Sequence, residues 1–153
     1  EHSLEVELPL LQYFAGNKEI VPLVCGQLGL EDAVKIGNAL RKLMTKDTLL
    51  VISSDFTHYG HNFRYVPFAK DIKNNIRNLD MGAIDCILKC DTEGLYNYVE
   101  HTGATICGHC PLMVGIAALA PEKLKGALVN YANSGELSGD WSHCVSYAGI
   151  SFF

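Results

Sequence analysis

The stretch "PLMVGIAALA", Pro111–Ala120, limits the fold more than any other. It carries no charge and no polar side chain, and proline fits the first turn of a helix. A helix that is apolar on every side has to be buried on every side. The chain is long enough to provide that cover. Its 153 residues, 48% hydrophobic and 19% charged, suit one ordinary globular domain spanning 1–153.

The rest of the chain alternates. "EIVPLVCG" and "TLLVISS" are short, apolar and β-branched, as buried strands are. "LEDAVKIGNALRKLM" is amphipathic, with Ala33, Ile36, Leu40 and Leu43 on one face, acids at its start and Arg41 and Lys42 near its end. "SLEVELPLLQYF" is helical with a kink at Pro9. Phe68, Ile72, Ile76 and Leu79 form a further stripe, "MGAIDCILKC" follows, and Asp91 caps "TEGLYNYVEH". "GALVNYANSG" and "HCVSYAGISFF" close the chain as strands. Strands apolar on both faces and separated by helices predict an α/β fold: a predominantly parallel sheet flanked by helices on both faces, with "EIVPLVCG" beside "TLLVISS". The sheet is small for its helices, which predicts that the domain's N-terminal part lies outside this chain.

Charge excludes some partners. The net charge is −5 and no basic stripe is present, so nucleic acid and anionic membrane surfaces are not expected to bind. No apolar run has the length of a membrane helix. The six cysteines sit in a chain with core to spare, which points to a reducing, cytoplasmic setting. The opening "EHSLE" lacks a methionine and leaves room for an upstream segment with a targeting signal. Cys25 and Cys144 lie in apolar runs and are expected to be packing residues.

Several motifs compete for the chemistry. "CGHC" has the form of a redox dithiol, Cys107 with Cys110. However, with Cys107 as a helix cap, Pro111 would fall where it breaks the first helical hydrogen bond. Both cysteines are therefore expected in the loop before a helix starting near Pro111. Cys86 and Cys90 with that pair have the look of a four-thiolate zinc site, but they lie on a helix rather than a knuckle turn, so zinc is disfavoured. In "SSDFTHYG", Asp55 and His58 follow an apolar strand, where open α/β sheets place their sites. On spacing alone, a capping Asp55 and a plain loop histidine is the simpler account. Glu1, His2 and Glu5 could be ligands or an ordinary helix start. His61, His101 and His143 are expected on the surface, and Tyr131, Asn133, Ser134 and Asp140 in a turn.

Taken in order, "EHSLEVELPLLQ", "VISSDFTHYG", "TICGHCP" and "NYANSGELSGDW" with "VSYAG" resemble the C-terminal portion of the Memo family, which includes AmmeMemoRadiSam system protein B. "HNFRY" is more similar to the eukaryotic branch. The resemblance implies a fold like that of class III extradiol dioxygenases, which hold non-heme Fe(II) through two histidines and a carboxylate. It implies a cysteine in the acid's place, matching Cys107, and an aspartate and acid/base histidine matching Asp55 and His58. Cys110 has no counterpart in that pattern. The family's two ligand histidines belong to motifs absent from this chain. Iron or copper is thus expected in a longer parent and no cofactor in this chain alone, since a facial site takes three protein ligands. Three functions stay open. One is metal-dependent redox chemistry at Cys107 and His58. Another is non-catalytic binding of a peptide or small molecule in the same pocket. The third is dithiol exchange through Cys107 and Cys110.

Overall fold

The computed structural model describes residues 2–153; Glu1, weighed above as a ligand, lies outside them. The opening segment forms two helices, α1 (His2–Glu5) and α2 (Leu8–Ala15). Pro9 sits in the first turn of α2, where its missing N–H has no intrahelical partner to lose. It therefore starts a second helix instead of kinking one. The later helices are α3 (Leu30–Leu43), α4 (Ile72–Leu88), α5 (Thr92–Thr102), α6 (His109–Leu119) and α7 (Ser134–Ser138). The strands are β1 (His58–Gly60), β2 (Gly126–Asn133) and β3 (His143–Phe152).

Helix α6 is the buried centre that its composition requires: Leu112, Met113, Val114, Ile116 and Ala118 are all out of solvent. Helix α3 packs along it. A Cβ at Gly37 would lie 2.6 Å from the Val114 carbonyl oxygen, so the backbones can approach only with glycine there. This contact turns α3 away from the expected stripe. Ala33 and Gly37 are buried and Leu40 packs on the core, while Ile36 and Leu43 remain 43% and 77% exposed. The segments after Phe68 fuse into one long α4, which buries Ile76, Leu79, Ala83, Ile84 and Ile87. Asp91 caps α5, its Oδ1 accepting the Gly94 N–H at 2.8 Å, an arrangement that contributes about 1 kcal/mol.

The fold is α/β, but the sheet differs from the expected one. Three strands pair in the order β1–β3–β2, and both pairings are antiparallel. Strand β2 runs beside β3 from Gly126↔Phe152 to Asn133↔Ser146, and β1 joins the other edge at His58↔Val145. Leu128, Tyr131, Ala148, Ile150 and Phe152 pack against the main core. The predicted parallel pair does not form: residues 19–26 and 48–54 belong to no strand. Two physical reasons are visible. Ile20, Val21, Leu23 and Val24 are all more than half exposed, so that run has no second layer to bury it. In the other run, Ile52 and Leu50 turn toward Gly115 of α6, while Leu49 and Val51 point outward, 75% and 44% exposed. That is the alternation of a one-sided strand. Only β2 and β3, joined through the single-turn α7, meet over a long ladder. No described helix is long and apolar enough to cross a membrane.

Candidate functional site

The site lies where the extended segment 53–58 meets the start of α6. The two backbones nearly touch. A Cβ on Gly108 would sit 2.4 Å from the Ser54 Cβ, and the Gly108 N–H donates to Ser54 Oγ at 3.0 Å. Glycine is what this close approach needs. The approach brings the neighbouring Cys107 onto the same segment, where its exposed sulfur accepts the Asp55 backbone N–H at 3.1 Å.

His58 opens β1 and is held on its backbone side. Its N–H donates to Thr105 Oγ1 at 2.9 Å, and that hydroxyl donates back to the His58 carbonyl at 2.8 Å. Its Nδ1 lies 3.0 Å from the carbonyl oxygens of both Phe56 and Thr105. Carbonyls only accept, so Nδ1 carries the proton and Nε2 of the neutral ring keeps a free lone pair. Asp55 Oδ2 stands 3.6 Å from Nε2, too far for a hydrogen bond and close enough for an ion pair once the ring takes a second proton. Phe63 meets the imidazole edge to face at 5.0 Å and stacks on His143 at 4.8 Å.

Asp55 is therefore the link: its amide meets the Cys107 sulfur and its carboxylate faces the His58 ring. It also lines a cleft of about 400 Å³ with Ser53, Ser54, Asn130 and Tyr147. Partial burial, with the Asp55 charge behind it, pushes the Tyr147 phenol above its ordinary range.

Beneath β1 lies a polar network. Asp80 of α4 is fully buried, and its Oδ1 accepts both the Thr57 N–H at 3.1 Å and the Thr57 hydroxyl at 2.6 Å. Its Oδ2 accepts the Tyr131 hydroxyl at 2.6 Å. Burial first, and the Asp80 charge and hydrogen bond next, hold that phenol well above the usual tyrosine range. Asn133 donates to Ser146 Oγ at 2.8 Å and its Oδ1 accepts the Gly135 N–H at 2.7 Å. This network pins the residue next to His58.

The other candidates separate. Helix α6 begins at His109, not at Pro111, so Cys110 lies inside it and Cys107 outside. Proline is tolerated at the third position because the first helical bond, Leu112 N–H to the Gly108 carbonyl, is donated by the next residue. The buried Cys110 sulfur turns to the Leu28 carbonyl at 3.9 Å and to His109 Nε2 at 3.4 Å, away from the partners of Cys107. All six cysteines are free thiols; Cys86 and Cys90 are half-buried against the core, and burial raises both. Cys144 is buried in the core while Cys25 is only partly covered. His2, Glu5, His61, His101 and His143 are exposed. Tyr131 and Asn133 belong to the buried network, whereas Asp140 forms a turn with Ser142, whose hydroxyl and N–H hold its carboxyl below the ordinary range.

Thr105, Ser54 and Asp80 are structural partners that sequence reasoning did not single out. Asp80 alone carried a signal, an acid within the apolar helical stripe of Ile76, Leu79 and Ala83. Among the described residues, no three of His, Cys, Asp and Glu gather as a metal site would need.

Comparison with known proteins agrees with the motif order. The family described as Memo-like protein matches residues 1–151. A MEMO1 family protein of Methanosarcina acetivorans is 37% identical over 157 residues, covering 98% of this chain and 54% of the relative. Another, of Nitrosopumilus maritimus, is 36% identical over 155 residues, covering 99% of this chain and 52% of the relative. A third, of Desulfurococcus amylolyticus, is 34% identical over 157 residues, covering 100% and 52%. The chain thus spans about half the length of the curated relatives it matches. With the family matching residues 1–151 and relatives of 34–37% identity along nearly all of the chain, the chain belongs to the Memo-like proteins.

Proposed function

We propose that Cys107, Asp55 and His58 form the working cluster of a redox site in a longer Memo-type polypeptide, with Asp55 the member that also lines the neighbouring cleft. One observation carries this reading: Asp55 joins a thiol and an imidazole at one point, with its amide on the Cys107 sulfur and its carboxylate facing His58 Nε2. The roles follow from the bonds. Nδ1–H is committed to carbonyls, so Nε2 is the atom that can take up a proton, and Asp55 would stabilise the charge that results. Cys107 is the soft donor, suited to copper(I) or iron, and further donors would have to come from outside the described residues.

The cleft lined by Asp55, Ser53, Ser54 and Tyr147 supports a second reading. Its size and polar lining suit a small molecule or peptide end held without turnover.

The test is an anaerobic copper(I) competition titration and an oxygen-consumption assay on a full-length relative and on this chain. Cys107→Ser should weaken copper(I) binding by about tenfold or more in the full-length protein, with Cys144→Ser as the control. His58→Gln should leave metal affinity within a few-fold and reduce turnover. Unchanged copper affinity in Cys107→Ser would defeat the redox reading. Binding of a ligand in the cleft with no oxygen uptake would favour the second.

A further inference from the structure

A second concavity lies away from Cys107, on the side where α4, β2 and α7 converge. It encloses about 240 Å³ between Lys73, Arg77, Tyr131, Asn133, Glu136 and Trp141. Its charges are unevenly matched. Lys73 Nζ lies 3.1 Å from Glu136 Oε1 and 5.5 Å above the Trp141 ring, so this cation already has a carboxylate and an aromatic face. Arg77 has only the face: its guanidinium sits 5.0 Å from the Tyr131 ring, and it enters no ion pair among the described residues.

The walls are rigid for a surface feature. The Tyr131 hydroxyl is committed to Asp80, and the buried Asn133 spends both ends of its amide on Ser146 and Gly135. The ring under Arg77 therefore cannot swing away, and the unpaired guanidinium is held over a fixed floor.

We propose that this pocket binds a small organic monocarboxylate, with the carboxylate on Arg77 and the apolar body against Trp141. The planar guanidinium fork matches a carboxylate through two parallel N–H···O bonds. Among the lining side chains Lys73 and Glu136 cancel, leaving Arg77 as the one unpaired charge facing the pocket, while the Asp80 carboxylate lies behind the Tyr131 ring and takes its hydroxyl. Glu136 repels a second negative charge, which disfavours doubly ionised phosphate. The volume falls below that of drug-sized pockets, which limits the ligand to about the size of benzoate.

Trp141 is the only tryptophan of the chain, so its fluorescence reports on this pocket alone. The probe is benzoate, with its uncharged isostere benzamide and with inorganic phosphate as comparison arms, all at constant ionic strength. Benzoate should change the emission saturably with a midpoint on the order of 1 mM, benzamide should not, and phosphate should bind more weakly. Arg77→Gln should weaken benzoate by about tenfold or more. Glu136→Gln should tighten it a few-fold, a change of opposite sign that loss of folding cannot imitate. The proposal is overturned if benzamide titrates like benzoate, if phosphate binds as well as benzoate, or if Arg77→Gln or Glu136→Gln leaves the midpoint where it was.

Discussion

Removing a single oxygen, in Tyr131→Phe, tests whether the Asp80 network holds β1 in place. Asp80 is fully buried, and the Tyr131 hydroxyl is the donor to its Oδ2, while both Thr57 donors reach Oδ1. The substitution keeps the ring and its place under Arg77, so packing changes little. It leaves one buried carboxylate oxygen short of its donor, and hydrogen bonds to charged groups contribute about 1.5–3 kcal/mol. The buried Ser146 Oγ, 3.1 Å from the same hydroxyl, loses that partner too but keeps its bond from Asn133, so only a small second penalty is added. We expect a loss of about 2 kcal/mol. With a urea slope of roughly 2 kcal/mol per molar, the unfolding midpoint should fall by about 1 M at unchanged slope. Tyr147→Phe, at a half-exposed phenol, is the control and should stay within about 0.5 kcal/mol. Thr57→Val removes the other hydroxyl on the same carboxylate, and the double variant should depart from additivity because the two share Asp80. The reasoning fails if Tyr131→Phe moves the midpoint no further than Tyr147→Phe does.

Three other outcomes follow from the same geometry. Burial and Asp80 raise the folded-state pKa of Tyr131, so its proton is lost more readily from the unfolded chain, and stability should decline as pH rises past about 10. Urea midpoints across that range should show the decline, and it should flatten in Tyr131→Phe. Gly108→Ala forces a methyl against Ser54 and should cost about 1–3 kcal/mol in the same melts, with altered alkylation of Cys107 as the sign that the loop has shifted. Cys107 should be carboxymethylated at least about tenfold faster than Cys110 or Cys144, which are buried; peptide mapping that finds either of these modified first would contradict the exposure described.

What the sequence reveals depends on how local the cause is. The uniform apolarity of residues 111–120 dictates burial wherever the helix lies, and Asp91 caps α5 through a bond three residues away. Sheet direction is another matter. "EIVPLVCG" and "TLLVISS" have the composition of strands, but composition does not say which backbone lies alongside, and the ladder that forms is β2 with β3. Half of the apolar stripe of α3, Ala33 and Leu40, meets the core, but Ile36 and Leu43 do not, because the close approach to α6 centres the buried face on Ala33 and Gly37 and bulk alone does not reveal such an approach. At the site, Asp55 and His58 formed an ordinary spacing on their own; only the order of motifs along the whole chain joined them to Cys107. Thr105 and Ser54 act through contacts across some fifty positions, and no local pattern announces such contacts.

Strand β3 is the only neighbour that β1 and β2 share, and it is the last of the three in the chain. This sets an order of events. During synthesis α3, α4, α5 and α6 can find one another while β1 still has no ladder partner and Ser146, which bonds to Thr57 and Phe56, does not yet exist. Pairing across such a separation is slow compared with helix docking. The pairing of β1 is therefore a closing act of folding, and a polypeptide interrupted before residue 143 would keep the Thr105 bonds to His58 yet lack the ladder that backs β1.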